Sequence, residues 1–179
     1  TFLPGTTPRG IATRFPNQVH AAFDAQMGRM AFAWSGEFLD MGPVWNGRGG
    51  HEAHVLGKIF WTAPPGCPWE VTPTDASAPS FAGRHEDGSL GALLKDKQLQ
   101  PSRLTFGGYT LSTFGPTFRY RLAQGDGQPG IAIAEHLDSL RADAGVGVLR
   151  ELRLGIPKGK VAWLNIVESD VEPSVTRGA

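Results

Sequence analysis

Residues 22–50 read AFDAQMGRMAFAWSGEFLDMGPVWNGRGG. Phe23, Phe32, Trp34, Phe38 and Trp45 fall within this span, spaced by small residues, with Glu37 and Asp40 among them. Aromatic residues alternating with small ones have the period of a half-buried strand. Val19, Ala21 and Phe23 share one face of a first strand, opposite His20, Ala22 and Asp24. Asp24–Gly28 reads as a hairpin turn, with Gly28 suited to positive φ. The return strand Arg29–Ser35 places Met30, Phe32 and Trp34 on one face, and Ala31 and Ala33 on the other.

Working outward, the same period recurs. Short strands are expected at Arg9–Phe15, Asn17–Phe23 and Lys58–Thr62, with a long glycine-rich loop over 40–57. Further strands are expected at Arg103–Thr113, Thr117–Ala123, Ile131–Glu135, Val148–Leu154 and Val161–Val167. Phe118, Tyr120 and Leu122 alternate with Arg119 and Arg121, as in a sheet wet on one face. The expected core includes Phe32, Trp34, Phe118, Tyr120, Leu152, Leu154 and Trp163. Residues 63–90 read as loop, and Leu90–Gln98 as a short helix. The 24 glycines and 14 prolines separate short apolar runs, which favours many turns and short strands. The fold class is therefore all-β: one antiparallel β-sandwich over 1–179 with long irregular loops, an N-terminal arm (1–8) and a C-terminal extension (168–179).

Lys+Arg and Asp+Glu balance at 17 each, against the basic excess of a general nucleic-acid binder. Local patches remain, such as Arg119, Arg121, Arg150 and Arg153. The single cysteine, Cys67, forms no internal disulfide and has no neighbouring histidine to activate it. No apolar run approaches the ~20 residues that span a bilayer. Dinucleotide, phosphate-loop and nucleophile-elbow motifs are absent.

The block Phe23–Ala25, Arg29–Gly36, Phe38–Asp40, Pro43–Trp45 and Asn46–Gly50, with Leu56–Gly57, Phe60–Trp61 and Gly115–Leu122, resembles an uncharacterised domain of bacterial exported proteins. That domain occurs beside c-type cytochrome or haem-binding domains in Planctomycetes, Bacteroidetes and Gemmatimonadetes. The resemblance implies a periplasmic β-rich module, peripheral to the membrane, with other protein subunits as partners: a c-type cytochrome or a membrane complex. It supplies no catalytic residues, and this chain has no haem-attachment motif of its own.

Four site readings follow. His51 and His54, three apart, are weak candidate metal ligands with Glu37 or Asp40. In the Asp40–Gly50 loop, Asp40 and Arg48 are expected to form a pinning ion pair, with Gly49 and Gly50 supplying demanding backbone geometry. Glu37 and Asp40 beside Trp34, Trp45 and Trp61 allow a carbohydrate-binding or glycan-active reading. Met27, Met30 and Met41 with the histidines raise non-covalent haem ligation. The expectation is nevertheless a non-catalytic accessory or docking subunit of a cytochrome-containing electron-transfer assembly, with no cofactor of its own. Its partner contacts are expected at Phe2 and Leu3 of the arm, and at Trp69, Val71 and Phe81 of the 63–90 stretch.

Overall fold

The computed structural model describes residues 2–46, 51–64, 66–81, 104–123, 130–142 and 145–166. The chain is nearly all β, and its three sheets are antiparallel. The first sheet runs β1 (Gly10–Arg14), β2 (Val19–Asp24), β3 (Arg29–Asp40), β4 (His54–Thr62) in that order. A short helix, α1 (Gly42–Trp45), sits between β3 and β4. The second sheet is β6 (Leu104–Ser112), β7 (Gly115–Leu122), β8 (Ile131–Ala142) and β9 (Gly145–Gly155), again in chain order. A two-stranded ribbon pairs β5 (Trp69–Pro73) with β10 (Lys160–Leu164). Within β1–β2–β3, β6–β7 and β8–β9 the chain-order pairing follows from short turns, since consecutive antiparallel strands close with few residues.

The inner faces of the two sheets meet in a core centred on aromatic rings. Phe23 of β2 stacks on Phe118 of β7 at 4.0 Å between centroids and 4° between planes. Phe15, Val19, Ile131, Ile133 and Leu137 surround the pair, and Trp69 of the ribbon closes one side of the cluster. A second core lies on the other face of the first sheet. There Leu3, Ala22, Phe32, Trp34 and Ala53 are buried together, with Phe38, Met41 and Val44 packed against them. The first sheet is thus covered on both faces, which explains why every residue of β2 is buried.

The expected single face of Met30, Phe32 and Trp34 is corrected by a bulge. Ala22 pairs with Phe32 but Phe23 pairs with Met30, so Ala31 is the extra residue. One inserted residue reverses the facing of what precedes it. Met30 therefore joins the core between the sheets, and Phe32 and Trp34 join the second core.

Other expectations are also corrected. Leu154 has inward-facing parity but is 39% exposed, because β9 is an edge strand with incomplete cover, whereas Leu152, half-buried, packs against the inter-sheet core as expected. Trp163 is half-buried on the ribbon, its indole donating to Thr72 Oγ1 at 2.9 Å. The 63–90 stretch contains strand β5, and β4 begins at His54 rather than Lys58. The helix expected at 90–98 and the extension at 168–179 lie outside the described residues.

Candidate functional site

The turn after β2 anchors the N-terminal arm. Asp24, fully buried, accepts from the Thr7 amide (2.8 Å) and hydroxyl (2.7 Å) and from the amides of Gln26 (3.0 Å) and Met27 (3.2 Å). An aspartate that takes up its own following amides makes the tight turn the sequence suggested, and Gly28 completes it at φ 61°. Opposite it, the buried guanidinium of Arg29 donates to Pro64 O (2.8 Å) and Gly5 O (2.6 Å). Burial lowers the pKa of Arg29, and the negative charge of Asp24 works against that shift. The Thr7–Asp24 and Gly5–Arg29 bonds therefore hold the arm to the chain's own sheet.

Two of the expected contact residues lie in the interior. Leu3 is fully buried in the second core, and its neighbour Phe2 is half-buried, its carbonyl accepting from the Ala53 amide at 2.8 Å. Trp69 is buried against the inter-sheet core, its indole donating to Gly28 O at 3.0 Å. Leu3 and Trp69 are thus occupied by intramolecular packing, while Val71 and Phe81 are half-buried. Trp34 is fully buried and donates to the carbonyls of Glu37 and Phe38, both at 3.1 Å, so it offers no face to a sugar. Trp45 is 78% exposed on α1.

The remaining candidates do not converge. Asp40 Oδ1 accepts from the Gly42 amide at 2.8 Å and shapes the entry to α1. Arg48, Gly49 and Gly50 lie outside the described residues, so the Asp40–Arg48 pairing falls there too. His51 and His54 are exposed and line an open groove with Pro4, Glu52 and Ile59. No group of three metal-ligating side chains occurs among the described residues. Met27 and Met30 are core residues. His20 is buried between the rings of Trp34 and Phe38, with Nε2 bonded to Gly36 O at 2.9 Å and Nδ1 without a partner among the described residues.

The arginines singled out in the sequence separate by strand parity. Arg150 turns inward and donates from Nε to the buried Glu135 at 2.8 Å, while Tyr120 donates to the other oxygen of Glu135 at 2.8 Å. Burial, and after it the charge of Glu135, pushes the Tyr120 phenol well above its ordinary range. Arg119, Arg121 and Arg153 turn outward and line an open trough on the second sheet.

The most distinctive surface feature is one the sequence reading passed over. Of the sheet edges, β1 ends in Arg14, β4 carries Lys58, and β9 carries Arg150, Glu151 and Arg153. Strand β6, LTFGGYTLS, has no charged residue and no proline. Tyr109 (51% exposed) and Leu111 (73%) lie on it, and Phe114 (68%) stands at the tip of its hairpin with β7. Among the described residues no strand pairs with its outer edge. The signal was present as an uncharged, β-prone run, but nothing local told that this strand would be an edge.

A domain family described as Domain of unknown function (DUF6797) matches residues 21–126, more than half of the chain. The chain belongs to the DUF6797 family. The DUF6797 match runs from within β2 to the segment after β7, so it includes the β6 edge, Arg119 and Arg121, and leaves β8 to β10 outside. Searches of curated proteins and of solved structures gave no match. No helix among the described residues is long and apolar enough to cross a membrane.

Proposed function

We propose that this DUF6797 domain is a non-catalytic docking module that presents the β6 edge to an extended segment of a partner subunit. One observation carries this reading: an edge strand without charge or proline, its outer side unpaired among the described residues, bearing Tyr109 and Leu111 and flanked by Phe114. Natural sheets protect such edges with lysines, prolines or cover, because an open ladder recruits another strand. Addition of a partner strand would satisfy the free amides and carbonyls, and would bury the aromatic and leucine side chains at the centre of the contact. The resemblance to exported domains found beside c-type cytochromes supports an extracytoplasmic electron-transfer assembly as the setting. In that reading the partner carries the haem, and this chain carries no reaction and no cofactor.

The test is co-purification of a tagged chain from membranes of the source organism. Leu111→Lys places a charge on the exposed edge and should release the partner while leaving the melting midpoint within a few degrees. Retained association in Leu111→Lys would overturn the assignment of the edge. A Soret band in the purified protein, or turnover of a glycan by it, would overturn the non-catalytic, cofactor-free reading.

A further inference from the structure

A second surface, on the opposite parity of the second sheet, has the make-up of a ligand site. Thr117, Arg119 and Arg121 of β7 face away from the core, and the two arginines are exposed. Strand pairing sets Arg119 beside Ala134 of β8 and Arg153 of β9, and sets Arg121 beside Ala132 and Gly155. The three arginines thus stand on the flanking strands and the two alanines on the middle strand. The result is an open trough of about 610 Å³ with the two alanine methyls on its floor. Neighbouring strands lie ~4.8 Å apart, so the Cα atoms of Arg119 and Arg153 are about 10 Å apart across it, and Arg119 and Arg121 are about 7 Å apart along it.

The trough is electropositive. Arg153 donates to Glu151 Oε1 at 3.0 and 2.9 Å, and Arg119 donates to Thr110 Oγ1 at 3.0 Å. One carboxylate faces three guanidinium groups, and both members of the Arg153–Glu151 pair are exposed, so water already screens that pairing. We propose that the trough binds a carboxylated pyranose chain, an oligosaccharide of uronate type. The guanidinium fork matches a carboxylate with two parallel hydrogen bonds. The floor decides between a sugar and a peptide. Backbone amides of β7 and β8 are engaged in ladders on both sides there, and the side chains on the floor are methyls. A peptide laid on it would bring amides over a surface with nothing to pair them. A pyranose ring sets its C–H face on the methyls, keeps its hydroxyls at the wet rim and directs its carboxylate to an arginine.

The probe is a galacturonate oligomer titrated calorimetrically into the whole chain, with its methyl ester and an oligoglutamate as comparators. The free acid should bind saturably, and more weakly at high salt. Arg121→Ala should weaken binding roughly tenfold or more, the loss of one charge-assisted hydrogen bond. Ala134→Trp should abolish binding by filling the trough while leaving every arginine in place. Unchanged melting midpoints separate these effects from unfolding. The proposal is overturned by no saturable binding at millimolar oligomer, by equal binding of the ester, or by indifference to both substitutions. Tighter binding of oligoglutamate would also overturn it, making the trough a peptide site.

Discussion

Tyr120 donates its hydroxyl to a carboxylate that is itself out of water, and that pairing makes the fold sensitive to alkali. Burial first, and then Glu135, hold the phenol well above its ordinary value of 10.0. The folded chain therefore binds this proton more tightly than the unfolded chain. The resulting stability is complete below pH 10.0 and is lost as pH rises from there towards the folded value. Tyr120→Phe should flatten the fall in melting midpoint above about pH 10. At neutral pH it should cost about 1–3 kcal/mol, because one oxygen of Glu135 loses its donor. Asp24 is the other critical polar residue. Asp24→Ala strips the acceptor from three amides and a hydroxyl and leaves Arg29 without its nearby counter-charge. A loss of about 3 kcal/mol in urea unfolding is expected. The burial of Tyr120 is legible in its alternation with Arg119 and Arg121, whereas an aspartate in a turn, such as Asp24, reads as surface.

At the scale of elements, bulges and turns decide which face a strand shows. Ala31 on β3 separates Met30 from Phe32, Phe60 on β4 is the extra residue between Ile59 and Trp61, and Gly107 on β6 falls between Phe106 and Gly108. The start of β7 is equally constrained. Gly115 has φ 139°, and a Cβ there would run into the carbonyl oxygen of Leu137 on β8. Gly115→Ala should destabilise the fold by about 1–3 kcal/mol in denaturant unfolding, a strained backbone plus a steric clash. The β7–β8–β9 alternation was legible in Arg119, Tyr120 and Arg121, since parity survives wherever no residue is inserted. The bulges were not legible, because Ala31 and Phe60 are ordinary strand residues and only the partner strand shows them to be supernumerary.

For the molecule as a whole, the arm is structural. Leu3 is sealed under the first sheet beside Trp34, and the Asp24–Thr7 and Arg29–Gly5 bonds hold it there. Leu3→Ala should cost about 2–5 kcal/mol of unfolding free energy, the range for a leucine truncated in a close-packed core. It should also make Trp34 accessible to a fluorescence quencher. An unchanged denaturation midpoint would show that the arm is dispensable and return it to the surface available for partners. Occupying the arm and Trp69 internally is what moves the docking assignment to the β6 edge.

Composition, turn residues and period-two alternation were enough to read an all-β antiparallel chain, the Asp24–Gly28 turn, the outward arginines of β7 and the burial of Phe32, Trp34, Phe118 and Tyr120. Those properties depend on neighbours within a few residues of the same strand. The tertiary structure alone decided that the first sheet has a core on each face, that Leu3 and Trp69 are interior, that Leu154 is exposed, and that no strand among the described residues pairs with the outer edge of β6. Each of these depends on which distant segment covers a surface. Alternation states that two residues share a face, but whether that face meets protein or water is set by the packing of other strands upon it.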